Sequence, residues 1–319
     1  MADIALARRL SHLGAVQETT MGTNVLSSVT AALANLTVLN ATFNPRSFFS
    51  DTVREPIGNA QDTLVAPVGK QAGDFSFECE VPTYGTPASN PALLLSTMAG
   101  MSVSSTVATM ESSSSERKTW SMKLWEAQSS ASNEARIKAL HGCAADMTLM
   151  FEVGKAVRAQ FAGMGCWNAI VDGTIPSGPT NTLPMVARGM TVTVGGTAVA
   201  ECSKIEVKLN NTVELVEQIQ SSTGYKFAYV AGTQRPTVTM DPNARLVATF
   251  DHFGLLLAGT SAAIVISVTD GTRTLQIDVG AAQRINISDG ERTGLRVDNL
   301  EFAACRTGTV DEQLKLTFS

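Results

Sequence analysis

From Phe75 onward apolar residues fall on alternate positions, the two-residue period of strands with one buried face. Phe75, Phe77, Cys79 and Val81 alternate with Ser76, Glu78 and Glu80. Trp120, Met122 and Leu124 alternate with Ser121 and Lys123, and Ile137 and Ala139 sit between Arg136 and Lys138. Met147, Leu149, Phe151 and Val153 alternate with Thr148, Met150 and Glu152. Gly154-Lys155 then reads as a turn into a strand over 156–161. In the second half, residues 190–194 and 197–201 flank Gly195-Gly196, a pair that supplies the positive φ of a two-residue hairpin turn. Ile205, Val207 and Leu209 alternate with Glu206 and Lys208. Ile264, Ile266 and Val268 lead into Asp270-Gly271, and Leu275, Ile277 and Val279 answer across that turn. Further strands are predicted at 284–288, 295–302 and 310–318.

The first 45 residues read differently. Leu6, Leu10 and Leu13 share a helical face, and 25–39 is rich in Ala and Leu, so this segment is expected to be partly helical. Two leucine triplets, at 93–95 and 255–257, read as short buried helices. Both follow the opening of a strand at the same spacing, Leu93 after Phe75 and Leu255 after Thr237. Each is followed by small residues, Ala99-Gly100 and Ala258-Gly259. The order of elements thus repeats, with Gly, Pro, Ser, Asn and Thr clustered between the copies at 171–184. The organisation predicted is an N-terminal segment (1–45), a first β domain (46–166), a linker (167–185) and a second β domain (186–319). The fold class is mainly β with short α elements.

Composition narrows the function. Charged residues make up 17% of the 319, against about 25% in an average soluble protein, which suits a chain that hides surface against other chains. A net charge of −5 argues against a protein that binds nucleic acid by neutralising phosphates. Five cysteines, Cys79, Cys143, Cys166, Cys202 and Cys305, lack the spacing of a disulfide framework or a zinc knuckle and read as free thiols. The beginning of the chain lacks the apolar core of a secretory signal, and 25–41 is too interrupted by polar residues to span a membrane, so folding and assembly are expected in the cytoplasm. His12, His141 and His252 are scattered, the serines at 112–115 lack the glycines of a nucleophile elbow, and no glycine loop cradles phosphate. No catalytic, metal or cofactor site is expected. Trp120 and Trp125 lie on opposite faces of one strand, so one is expected in the core and the other exposed or at an interface.

Several runs taken together resemble the tail tube proteins of long-tailed, siphovirus-type bacteriophages. Gln17-Glu18-Thr19-Thr20-Met21-Gly22 is similar to a short Glu-Thr-x-x-Gly opening, and Pro91-Ala92-Leu93-Leu94-Leu95 to the small helix after the first long strand. Leu140-His141-Gly142-Cys143, with Phe151-Glu152-Val153-Gly154-Lys155 and Phe161-Ala162-Gly163, resembles that family's glycine, strand, turn and close. The resemblance covers 17–165 well and 204–319 more loosely. It implies two tandem β-sandwich or half-barrel tube domains, each with a flanking helix. It also implies homo-oligomeric rings of three duplicated chains with pseudo-sixfold symmetry, stacked into a virion tail tube. DNA would pass through the lumen without specific binding, and a tape measure protein and a tail terminator would be partners. Acidic strand residues Glu78, Glu80, Glu152, Glu206 and Asp278 are then candidates to face the lumen. The proline-broken but apolar stretch 41–73 is a candidate joint between rings, with Phe43, Phe48, Phe49 and Ile57 as contacts. Rival readings are a tail terminator or head–tail joining protein, a carbohydrate-binding β-sandwich and an outer-membrane barrel.

Overall fold

The computed structural model describes residues 11–34, 36–46, 48, 67–83, 90–113, 116–127, 134–178, 182–308 and 311–319. The strands of the first half are β1 (Ser11–Gln17), β2 (Val38–Pro45), β3 (Ala72–Glu80), β4 (Met101–Ser104), β5 (Val107–Met110), β6 (Trp120–Ala127), β7 (Glu134–Glu152), β8 (Arg158–Trp167) and β9 (Val171–Thr174). Those of the second are β10 (Thr191–Val194), β11 (Thr197–Ala198), β12 (Cys202–Lys208), β13 (Thr212–Glu217), β14 (Tyr225–Ala231), β15 (Thr237–Pro242), β16 (Ser261–Thr269), β17 (Thr274–Arg292), β18 (Leu295–Ala304) and β19 (Lys315–Phe318). Both leucine triplets are helical as expected, in α1 (Pro91–Leu95) and α2 (His252–Leu257), although only α1 is buried and α2 leaves Leu257 in solvent. Asn90 and Asp251 cap them by accepting from Ala92 N and Gly254 N, bonds that satisfy first-turn donors otherwise left orphaned.

Each half is organised around a 19-residue strand, β7 or β17, that serves two layers. In the first half β2, β3, β8 and the C-terminal limb of β7 form one antiparallel sheet, while β1, β6, the N-terminal limb of β7 and β9 form the other. The second half pairs likewise: β12–β15 answers β2–β3, β15–β18 answers β3–β8, and β17–β18 answers β7–β8. In the other layer β16–β17 answers β6–β7, β10–β16 answers β1–β6, and β17–β19 answers β7–β9. Bulges break the register midway along both long strands, between His141 and Ala144 in β7 and opposite Ala262–Ile264 in β17. A bulge adds one unpaired residue and bends its strand, which lets one strand pass from layer to layer. The halves also interlock, since β5 pairs with β19 and the β13–β14 hairpin packs over β7 and β8.

The core lies between the layers. Phe77 and Phe161 stack at 5.1 Å, Phe43 and Phe75 lie 6.2 Å apart, and Ile205, Val207, Val238, Leu300 and Phe302 continue the apolar face into the second half. Each such side chain contributes roughly 1.5–3 kcal/mol of transfer free energy.

Three expectations are corrected. Residues 11–17 and 38–45 are strands rather than helix, and between them the described residues hold only a 3-10 turn at Leu26–Ser28. Leu13 pairs with Leu124, so its place is fixed by a distant strand rather than by its leucine neighbours. Residues 284–288 are not a separate strand but the bulged middle of β17. Trp120 and Trp125 are both buried, at 6% and 3% exposure. Trp125 packs with Val29, Ala135 and Ile137 in a small second cluster, and the carbonyl of Val29 accepts from Lys123 beside it.

The second half has an unusual corner beside α2. His252 is buried against Phe250 (4.5 Å), and the Arg284 guanidinium lies between the Phe250 and Phe302 rings at 5.5 and 5.1 Å. Burial, with the Arg284 and Arg245 charges, lowers the His252 pKa to about 4 from 6.5. The folded state therefore binds its proton less readily than the unfolded chain. The stability held by neutral His252 is complete above the unfolded pKa and is lost as pH falls from 6.5 toward 4. Thermal unfolding followed over this range is expected to show the loss, and His252→Leu should flatten that part of the profile.

Candidate functional site

The two four-stranded sheets are one surface. β7 pairs with β12, from Thr148↔Lys208 through Met150↔Glu206 to Glu152↔Lys204. The strand order is thus β2-β3-β8-β7-β12-β15-β18-β17, eight antiparallel strands in one chain. One face of this sheet is the core described above. The other carries Thr42 and Asn44, then Ser76, Glu78 and Glu80, then Arg158 and Gln160, then Thr148, Met150 and Glu152. Across the β7–β12 junction it continues with Lys204, Glu206 and Lys208, then Thr237, Thr239 and Asp241, then Asn299 and Glu301, then Asn286 and Ser288. The two-residue side-chain period makes this sorting automatic once the register is set. Lys204, Glu206, Thr239, Asp241, Ser288 and Glu301 line a shallow depression on this face.

Carboxylates outnumber cations at these positions, but most are paired. Glu78 meets Arg158 at 3.6 Å, Glu152 meets Lys155 at 2.6 Å, and Asp241 meets Arg292 at 3.0 Å. Glu206 binds Lys204 and Lys208 on its two oxygens, at 2.5 and 3.0 Å, and the Lys204 hydrogen bond is the leading cause that holds its carboxyl below the usual range. Glu80 and Glu301 make no ion pair among the described residues. The result is a polar wall of small net negative charge, with no concentrated cationic stripe among the described residues.

Of the five acidic candidates, Glu78, Glu80, Glu152 and Glu206 share this face. Asp278 does not: it lies in the N-terminal limb of β17, opposite Val265 and Lys315, in the other layer. Among the candidates for contact between rings, Phe43 is 1% exposed in the chain's own core and is unavailable to a neighbour. Phe48 packs against that core and lies 6.2 Å from Trp167. Phe49 and Ile57 fall outside the described residues.

Two of the runs singled out by resemblance meet at Glu18, in the turn after β1, which reaches Gly142 in the β7 bulge. A family model for the phage tail tube protein matches residues 9–304. The chain belongs to that family. None of the curated proteins matches it. The tube family's short runs prove to be architectural here. Glu18 is 1% exposed, and its carboxylate accepts from Gly22 N, Thr119 Oγ1, Ser121 Oγ and Gly142 N. Gly142, in the β7 bulge, has φ +60°, and a Cβ there would stand 2.8 Å from Phe227 Cα. At Gly163 a Cβ would stand 2.0 Å from the Ala144 carbonyl, so β8 can approach the bulge only through a glycine. Sequence spacing offered no signal for the eight-strand wall, which needs the β7–β12 pairing across two halves.

Membership in this family makes the protein a structural component of the virion tail that assembles into a tube.

Proposed function

We propose that the chain is a duplicated, non-catalytic tube subunit of a long-tailed phage, three copies of which close a ring with pseudo-sixfold symmetry. The observation that carries this reading is the eight-stranded sheet with one polar face. Its two halves repeat the same pairings, which supports duplication of a four-stranded unit. Three copies bring 24 strands together, and a barrel of that size with strands tilted by about 40° is about 45–50 Å across between backbones. The polar face lines the lumen, with Glu78, Glu80, Glu152 and Glu206 on the wall, and stacked rings form the conduit for DNA. DNA slides because a wall of small negative net charge offers phosphates nothing to bind, and closure leaves no sheet edge exposed. A tape measure protein within the lumen and a terminator at its end complete the tail.

Electron microscopy of the concentrated protein tests the reading. Long tubes of three-chain rings are expected. Isolated rings would mark a terminator or connector instead, and six-chain rings or a basic inner wall would refute the trimer or the lumen assignment.

A further inference from the structure

Within one chain the β7–β12 junction joins two equivalent halves, and the same junction is open at the two ends of the eight-strand sheet. β2 pairs only with β3 among the described residues, and β17 beyond Gln283 pairs only with β18. These two strands are the counterparts of β12 and β7. We propose that the free edge of β17 in one copy pairs antiparallel with the free edge of β2 in the next, opposing Ser288 to Asn44, Asp289 to Phe43, Gly290 to Thr42 and Glu291 to Ala41. The inference rests on the ring reading above and deepens it to a named seam and register.

The register follows from the pairings. Phe43↔Phe75 in the first half corresponds to Val207↔Val238 in the second, which makes Val207 of β12 the counterpart of Phe43 in β2. The same match makes Val238 of β15 the counterpart of Phe75 in β3, so Phe77↔Phe161 corresponds to Met240↔Leu300. Met147↔Phe161 then corresponds to Ile287↔Leu300, which makes Ile287 in the inner limb of β17 the counterpart of Met147 in β7. Every matched residue of these pairs is buried or packed against the core, so the side-chain phase is preserved. Carrying the observed Thr148↔Lys208, Leu149↔Val207, Met150↔Glu206 and Phe151↔Ile205 pairs through these matches gives the four pairs named above.

Chemistry at the two edges favours a head-to-tail seam over a symmetric one. Asp289 and Glu291 are exposed on the β17 edge, so pairing two β17 edges would oppose carboxylates, a destabilising arrangement. The β2 edge from Ala41 to Pro45 carries no charge. With the proposed register Ser288 and Gly290 meet Asn44 and Thr42, and the polar wall runs across the seam unbroken. Beside the β17 edge, Leu246, Val247, Phe253 and Leu257 are exposed around α2, apolar surface that a copy seated on this edge covers.

Disulfide trapping tests the register. Residues directly opposite in an antiparallel pair have Cα atoms about 4.5–5.5 Å apart, within disulfide reach, whereas diagonal ones at about 7–8 Å are beyond it. Tubes of Asn44→Cys/Ser288→Cys, oxidised and run on a denaturing gel without reductant, are expected to yield a ladder ending in a closed trimer as the main product. Thr42→Cys/Ser288→Cys, out of register with the proposed pair, should cross-link several-fold less. If the double variant does not assemble, mixing the two single variants must give a cross-linked dimer that neither gives alone. Tubes without the cross-link, or a dimer from Ser288→Cys alone, would overturn the seam while leaving the tube reading intact. Absence of tubes and rings from the unaltered protein would instead overturn the tube reading.

Discussion

Replacing Glu18 with alanine is expected to lower the unfolding free energy by about 3–5 kcal/mol, enough to leave little folded subunit in a protein of ordinary stability. The carboxylate gathers donors from three places distant in sequence. Gly22 lies in the turn after β1, Thr119 and Ser121 lie at the start of β6, and Gly142 lies in the bulge of β7. Alanine leaves the backbone N–H groups of Gly22 and Gly142 and the two hydroxyls without this acceptor in a place water does not reach. Each stranded buried donor costs about 1–3 kcal/mol, partly relieved where Gly22 N also reaches the Thr119 hydroxyl at 3.0 Å. Glu18→Gln keeps the shape but turns an NH2 toward groups that themselves donate, so its cost should fall between alanine and the native residue. Urea unfolding with an unchanged slope measures both. A loss under about 1 kcal/mol for alanine would show that the turn and the bulge are held by other contacts.

Reversing charge on the wall has its large effect on DNA rather than on folding. Glu80→Lys/Glu152→Lys/Glu301→Lys adds six charges per chain and takes the formal net charge from −5 to +1 (−5 + 6). All three side chains lie on the polar face, and only Glu152 gives up an ion pair, a partly exposed one worth little to stability. In the proposed three-chain ring the change would be repeated at every layer of the lumen. Tubes of the native protein are expected to leave duplex DNA in solution at about 50 mM salt, whereas variant tubes with open ends retain it. Retention should fall steeply between about 50 and 200 mM salt, the signature of counterion release. Equal retention by both tubes would place these residues away from the lumen.

Much of the fold was legible because one-sided strands write their orientation into every second residue. The Asp270-Gly271 hairpin and the Gly195-Gly196 turn fall where the pattern put them, with φ +59° and +79° at the paired glycines. Two of the failures share one cause, contact with distant chain. Leu13 lies in a strand because Leu124 is across from it, and Trp125 is buried because Val29 lies over it. In β17 the bulge at Ile285 shifts the phase of alternation, so one continuous strand read as two. Glu18 showed only as part of a short recurring run, since its partners other than Gly22 lie just before β6, in β6 and in β7, far along the chain. The acidic candidates divide by layer. Local alternation tells a residue which face of its strand it occupies, but not which of two sheets that strand has entered, and Asp278 is the case where this matters.

The β7–β12 pairing carries a further consequence for how assembly responds to concentration. Two strands tied by one chain meet at an effective concentration in the millimolar range however dilute the protein, so this junction stays closed as the solution is thinned. Only contacts between separate chains feel dilution, and joining the halves would cut their number around the proposed six-unit ring from six to three. The tethered ring should therefore persist at concentrations where six free units would drift apart, and severing the chain between β9 and β10 would restore that sensitivity.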